Sequence, residues 1–424
     1  MEKTPEKHTF KGKAACIAVG SELLGDAKLD LNSLEITRVL ETYGFDVVEK
    51  RVIGDSIERI AASVRELLEG YEVVIVTGGL GPTADDVTRE GVALALGRKL
   101  LFDAEVEGWL KERYERVGRT MPEIGRSMAM VVEGSEIIRN NAGSAPGILV
   151  QEDGRLLAVF PGVPWEMRSM IESHLKLKLE ERCEGRIRRS RTLLMGGVVE
   201  SEVEGRIRHL YGGFGRDNVT ILASFGVLRL ALTATGKETE VEAELDRMER
   251  AFREILGEDV AGVDIASLAK VIVPALISRD QTLATAESCT GGLVGGALTS
   301  VSGSSEVYMG GVVSYSNEVK EQMVGVPHDL LIEYGAVSEQ VARAMAEGVR
   351  QRFSTDWGLG VTGIAGPSGG TDEKPVGLVH WAVAGPEGVV ARHHIFPGDR
   401  DIVREWSVNV VLDLLRRQLI VGAK

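Results

Sequence analysis

Short apolar runs alternate with helical periodicity over the first 180 residues. Ala14 to Val19 is an unbroken apolar stretch, typical of a parallel strand buried on both faces. A helix follows over Asn32 to Tyr43, with Leu34, Val39 and Leu40 on one side, and Gly44 stops it. Phe45 to Val52 and Tyr71 to Val76 read as strands, Ser56 to Leu68 and Val87 to Leu96 as helices. Strands alternating with helices predict a parallel α/β sheet. The middle differs. Strand Arg191 to Met195, helix Glu202 to Leu210, strands Val219 to Ala223 and Val227 to Thr235, and the amphipathic helix Glu238 to Leu256 make a small α+β unit. Beyond it, helix Ser267 to Arg279 leads into strand Thr282 to Ala286, and a small-residue helix is expected from Cys289 or Thr290. Strand Val307 to Tyr315, helices Asn317 to Met323, Asp329 to Ile332 and Glu339 to Phe353, strands Trp357 to Thr362, Val376 to Ala384 and Gly388 to Phe396, and helix Asp399 to Gln418 complete a second α/β sandwich.

Candidate chemistry sits at three strand-to-helix turns. In the last domain the chain reads Glu287-Ser288-Cys289-Thr290-Gly291-Gly292. A serine at the start of a helix meets free N–H groups and a favourable dipole for negative charge. It either caps the helix or acts as a nucleophile. Lys320 and Tyr315 bracket the next turn, and a lysine shielded from water can serve as a serine's base. Cys289 offers a second nucleophile or a small packed side chain. The glycine-rich loop Thr362 to Gly370 follows a buried strand, where a phosphate could lie. In the first domain Thr77-Gly78-Gly79-Leu80-Gly81-Pro82-Thr83 is followed by Asp85 and Asp86. The loop suits phosphate. The carboxylates suit it only through a divalent cation, unless Asp86 simply caps the next helix.

The chain has 424 residues, which suggests two or three domains at about 100–200 residues each. Its net charge of −14 argues against non-specific nucleic-acid binding. Arg186, Arg188, Arg189 and Arg191 form one local basic run, read as a solvated edge or linker. Gly212-Gly213-Phe214-Gly215 fits the Gly-X-X-Gly loop of nucleic-acid-binding KH modules, but Asp217 beside it and the lack of lysine mark it as a turn. Three scattered cysteines point to a reducing cytoplasm. No apolar run reaches the roughly 18–20 residues of a membrane span. Met1 to Lys13 reads as a disordered lead-in without a signal-peptide core. His393 and His394 lack ligand-spaced partners, which argues against zinc.

Three blocks in order resemble the C-terminal domain of the CinA (competence/damage-inducible protein A) family. They are Glu287 to Gly292, Gly310-Gly311-Val312-Val313-Ser314-Tyr315-Ser316-Asn317-Glu318-Val319-Lys320, and Gly360-Val361-Thr362-Gly363-Ile364-Ala365-Gly366-Pro367 with Lys374-Pro375-Val376-Gly377. The resemblance implies a nicotinamide mononucleotide deamidase needing no cofactor. Ser288 would be the nucleophile and Lys320 and Tyr315 its activating partners. Cys289, Thr290, Gly291, Gly292, Thr362, Gly363 and Gly366 would bind substrate. The first domain is similar to the molybdopterin-binding-like half of the same family. It carries Gly20-Ser21-Glu22-Leu23-Leu24, Asp30, Asn32, Gly54-Asp55, the Thr77 to Thr83 loop, Asn141 to Gly147 and Phe160 to Pro164. Leu31 and the Ile124 to Met128 segment depart from the usual pattern. The resemblance implies ADP-ribose pyrophosphatase activity dependent on magnesium, manganese or cobalt. Glu22, Thr77, Gly78, Gly79, Gly81 and Thr83 would hold the nucleotide, and Asp85 and Asp86 the metal.

The expected architecture is multidomain α/β. A three-layer molybdopterin-binding-like sandwich over 1–180, a KH-like α+β linking domain over 185–260 and a CinA-type α/β sandwich over 263–424 follow in order. The resemblance also suggests a cytoplasmic homodimer acting on small-molecule nucleotides, with no membrane or nucleic-acid partner. The alternatives are a non-catalytic nucleotide-binding or assembly protein and a pterin-binding protein.

Overall fold

A computed structural model describes residues 12–26 and 28–421. Most of the predicted lead-in therefore lies outside the described residues. The chain divides into two compact units: residues 1–189 with 234–243, and residues 190–233 with 244–424.

The first unit opens with β1 (Lys13–Val19), α1 (Asn32–Thr42), β2 (Asp46–Ile53), α2 (Ile57–Gly70), β3 (Val73–Thr77) and α3 (Thr88–Leu96). It continues with β4 (Leu100–Phe102), α4 (Ala104–Arg116), β5 (Met130–Val132), β6 (Glu136–Ile138), β7 (Gly147–Glu152), β8 (Arg155–Phe160), α5 (Pro164–Met170) and α6 (Lys176–Cys183). The main sheet has the order β2-β1-β3-β8-β7-β6. β1 pairs in parallel with β2 and β3, and β3 with β8, while β7 runs antiparallel to β8 and β6. The sheet is thus mixed, not wholly parallel. All five residues of β3 are buried because helices cover both faces. Ile17, Val74, Val76 and Val159 pack on one side with Ile60, Val64 and Leu110. Cys16, Val73, Ile75 and Phe160 pack on the other with Leu40, Met170 and Leu175. The period of two along each strand sends alternate residues to opposite cores.

The linking region comprises β9 (Arg186–Gly196), α7 (Glu200–Ile207), α8 (Tyr211–Phe214), β10 (Val219–Ser224), β11 (Val227–Lys237), α9 (Glu238–Leu256) and β12 (Val260–Val263). Its strands form a sheet of order β10-β11-β9-β12. Much of the basic run is neutralised in place. Arg189 pairs with Glu238 and Glu242, and Arg191 with Asp246 and Glu249 at 2.7 and 2.8 Å. The Gly-X-X-Gly segment is a short helical turn whose Phe214 packs on Phe252, with Arg247 over its ring.

The remainder of the second unit contains α10 (Ala269–Ile277), β13 (Leu283–Glu287), α11 (Leu293–Thr299), β14 (Tyr308–Val313), α12 (Asn317–Val324), α13 (His328–Tyr334) and α14 (Glu339–Phe353). It ends with β15 (Trp357–Gly363), β16 (Leu378–Gly385), β17 (Gly388–Ile395) and α15 (Arg400–Val421). The sheet order is β14-β13-β15-β16-β17. The first three strands are parallel, the last two antiparallel. Among the described residues no helix is long and apolar enough to cross a membrane.

Glycines set how closely α14 approaches this sheet. A Cβ on Gly358 or Gly360 of β15 would collide with the carbonyl oxygens of Ala346 or Ala342 on α14. On the helix's other flank, a Cβ on Gly348 would overlap the carbonyl of Val324, the last residue of α12. Backbone atoms cannot yield as a flexible side chain can. Gly348→Ala is therefore expected to displace α12 and cost at least about 2 kcal/mol of stability. A lowered urea midpoint at unchanged m-value checks it. A midpoint equal to wild type would show that the helices separate freely.

Candidate functional site

β13 is buried along its whole length and ends at Glu287, immediately before Ser288. The Ser288 N–H donates to the Val361 carbonyl at 2.9 Å, which fixes the serine against β15. Its side chain is almost buried. The next element does not begin where the sequence suggested. α11 starts at Leu293, because Gly291 (φ +60°) and Gly292 (φ +98°) take left-handed conformations and turn the chain first.

Glu287 explains that turn. Its buried carboxylate accepts from the N–H groups of Gly292, Val294 and Gly295 at 2.9, 3.0 and 2.8 Å. These are donors that a helix start normally leaves unpaired. The expectation that the helix's first-turn N–H groups face the serine is thereby corrected: Glu287 takes them from beneath. The N–H groups of Cys289 and Thr290 have no oxygen acceptor among the described residues and lie beside the Cys289 sulfur.

Lys320 comes from α12, whose N-cap Ser316 accepts from the Val319 N–H. The lysine is 1% exposed. Its Nζ reaches Ser288 Oγ at 3.2 Å, the Ser314 carbonyl at 2.7 Å and the Tyr315 carbonyl at 3.3 Å. Burial pulls its pKa below the ordinary lysine value, with a small opposing effect from Cys289. Burial pushes the Cys289 thiol up to about 12. A neutral thiol is a poor nucleophile, so of the two adjacent candidates the geometry and charge favour Ser288.

Tyr315 contributes differently from the sequence expectation. Its ring is 61% exposed, and its hydroxyl accepts from Arg400 at 3.1 Å. No hydrogen bond joins that hydroxyl to Ser288 or Lys320; the carbonyl of Tyr315, not its ring, holds the lysine. Arg400 also donates to the Gly366 carbonyl at 2.9 Å, tying the glycine-rich loop to the mouth of the site. Arg404 donates to the Thr290 carbonyl at 3.1 Å, and the fully buried Thr290 hydroxyl has no partner. Thr362 is spent on structure, donating to the Ala336 carbonyl at 2.8 Å. Gly363 lies in the β15–β16 ladder, opposite Val379.

The structure thus brings Ser288, Cys289, Thr290, Gly291 and Lys320 together, with Tyr315 and Gly366 joined through Arg400. Sequence reasoning gave no role to Glu287, Arg400 and Arg404. A lone acid closing an apolar strand was the available signal for Glu287. Two arginines on the first turns of the last helix gave only a weak one.

In the first unit, Thr77 ends β3 and donates to the Pro161 carbonyl, while Asn32 donates to Thr77 Oγ1 at 3.1 Å and the Gly162 carbonyl at 2.9 Å. These bonds join the carboxyl ends of β3 and β8. A Cβ on Gly78 would collide with the Val19 carbonyl, so the loop needs glycine there. Buried Arg89 donates to the carbonyls of Leu80 and Gly81 at 2.5 and 2.8 Å and holds the loop from below. Gly79 packs against Thr88, and Asp86 accepts from the Thr83 N–H and hydroxyl at 2.9 and 2.5 Å. The same Thr83 lowers the Asp85 pKa. Glu22 is ion-paired with Lys28 at 3.3 Å. Among the described residues no group of three His, Cys, Asp or Glu side chains is arranged for a metal, so a common ligand set of Glu22, Asp85 and Asp86 is not formed. Asp85 and Asp86 are neighbours in the chain, and one oxygen of Asp86 is already engaged by Thr83.

Comparison with known proteins gives three successive matches. Residues 15–181 match the family described as probable molybdopterin binding domain, 190–262 the damage-inducible protein CinA KH domain, and 265–419 the CinA C-terminal domain. A CinA-like protein of Gemmatimonas aurantiaca is 43% identical over 407 residues, covering 95% of both chains. One from Solibacter usitatus is 39% identical, covering 96% of this chain and 98% of its own. A solved structure of the competence/damage inducible protein CihA from Agrobacterium tumefaciens is 42% identical over 36% of this chain and 93% of its own, with a TM-score of 0.35. Near full-length identity at this level, across all three matched regions, makes the chain a member of the CinA family.

Proposed function

We propose that the Ser288 site hydrolyses the carboxamide of nicotinamide mononucleotide to the acid and ammonia. The observation that carries this reading is the buried Lys320 Nζ, 3.2 Å from Ser288 Oγ and tethered to two carbonyls. A neutral amine has two N–H donors and one lone pair. With the donors on Ser314 and Tyr315, the lone pair is left for the serine proton. Lys320 takes that proton as Ser288 Oγ bonds to the amide carbon. The oxyanion is held by the N–H groups of Cys289 and Thr290, which have no oxygen acceptor among the described residues and would turn from the Cys289 sulfur to the oxyanion. The C–N bond breaks as protonated Lys320 returns its proton to the departing nitrogen, and ammonia leaves. Water then attacks the acyl ester, Lys320 takes its proton, and Ser288 is regenerated. Arg400 and the loop that follows β15, Ile364 to Gly370, receive the ribose phosphate. The substrate itself follows from the family resemblance.

For the first unit we propose a metal-dependent ADP-ribose pyrophosphatase. The loop from Thr77 to Thr83 would face the diphosphate, and Asp85 and Asp86 would hold a divalent cation. When bound, the cation neutralises diphosphate charge. The match of residues 15–181 to a probable molybdopterin binding domain favours a second reading, pterin binding, which ligand identity separates. A cytoplasmic homodimer is the proposed working form.

Ser288→Ala is expected to abolish ammonia release while leaving the fold intact, since the Ser288 hydroxyl caps no helix and its hydrogen bond to Lys320 contributes only about 0.5–1.5 kcal/mol. Near-normal turnover in this variant would sink the serine mechanism.

Lys320→Met should lower turnover at least about 10²-fold. In the wild type only the neutral amine is active, and burial lowers the pKa at which it forms. The rate should therefore rise with pH through that lowered pKa and level off before the ordinary lysine range. A profile flat from about pH 6 to 9 would count against Lys320 as base.

Chelation separates the two sites. EDTA should stop ADP-ribose cleavage and leave deamidation unchanged, and Asp86→Ala should do the same. Loss of ammonia release on adding EDTA would show that the metal serves the other domain.

A further inference from the structure

A cavity of about 780 Å³ opens in the second unit, and Ser288 and Lys320 do not line it. Its walls come from the Gly197 to Glu200 segment, the β10–β11 hairpin, β16, β17 and α15. The volume lies within the roughly 300–1,000 Å³ of small-molecule pockets.

One wall is aromatic. Trp381 stacks on Phe396 (ring centroids 5.9 Å apart) and Phe396 on Trp406 (5.3 Å). Phe225 stands at the hairpin tip on the rim. It has φ +29° and is 37% exposed. A bulky residue in this backbone region costs about 1–3 kcal/mol and persists only where its surroundings enforce it. Here Asn409 of α15 donates to the Phe225 carbonyl at 2.7 Å, and Gly197 N–H donates to the Gly226 carbonyl at 3.0 Å. The fold thus spends strain to hold an aromatic ring at the cavity mouth.

The charges are unequal. Asp413 is taken by Arg416 and Arg417, and Arg417 also meets Asp259. Arg392 donates to the Ala391 carbonyl and has no carboxylate partner among the described residues. His393 and His394 flank it, and Glu200 is the remaining carboxylate of the lining.

We propose that this cavity binds a flat aromatic anion of mononucleotide size, its ring against Phe225 and Trp406 and its negative group at Arg392. Aromatic faces favour planar rings, and an unpaired guanidinium favours phosphate or carboxylate. The concave shape favours such a ligand over a flat protein partner. The inference is independent of the amidase reading.

The test titrates the full chain with 1-anilinonaphthalene-8-sulfonate, a flat aromatic sulfonate, and then displaces it with AMP or adenosine. Saturable binding is expected, with AMP displacing the dye at least about tenfold better than adenosine because only AMP carries the anion. Arg392→Glu should weaken dye binding at least about tenfold. Phe225→Gly should weaken it as well while keeping the fold, since glycine tolerates the positive φ. The urea midpoint checks that. Ammonia release is the control, because neither residue lies in the Ser288 site. Dye binding unchanged in both variants overturns the proposal. So does the absence of saturable dye binding to the wild-type chain.

Discussion

The withdrawal of one amine from water governs the C-terminal site. Lys320 Nζ is enclosed by protein and satisfied by two carbonyls and one hydroxyl. Burying an unpaired charge is expensive, so the enclosure favours the neutral amine. That preference holds only while α12 stays seated. α12 is seated by contact with α14, and α14 by contact with β15, both at glycines where no Cβ intervenes. The reactivity of one nitrogen thus traces back to close backbone packing across the sheet.

The same economy governs the backbone donors beside it. A helix start offers several free N–H groups, and a simple reading aims them all at the ligand. Here Glu287 consumes three of them. A buried carboxylate with three N–H partners stiffens the loop, and among the described residues the Cys289 and Thr290 amides are left without an oxygen acceptor. Rigidity in this loop costs no reorganisation when charge develops on a substrate, which is how preorganised sites gain their effect. In the first unit Arg89 plays a comparable part from beneath, holding the Leu80 and Gly81 carbonyls.

Family membership, the alternation of strand and helix, and the identities of Ser288, Lys320, Asp85 and Asp86 as candidates were all readable from the chain. Local signals sufficed for them. Apolar runs and their periods reflect burial on one or two faces, and Gly-rich turns reflect backbone angles that few residues adopt. The pairing of Arg191 was less legible, since its partners Asp246 and Glu249 lie more than one element away.

What the tertiary structure alone decided is which groups meet. The sequence could place Tyr315 near Lys320 but could not say that its carbonyl faces the lysine and its hydroxyl faces Arg400, about 85 residues onward. It could propose a helix at Cys289 but not that Glu287 would fold under the turn and delay it to Leu293. It offered Glu22 as a nucleotide ligand but not the ion pair that this side chain makes with Lys28. Backbone periodicity is a local property, fixed by residues a few positions apart. Charge pairing, donor satisfaction and the pKa of a buried amine depend on atoms brought together from distant segments, and only the folded chain supplies them.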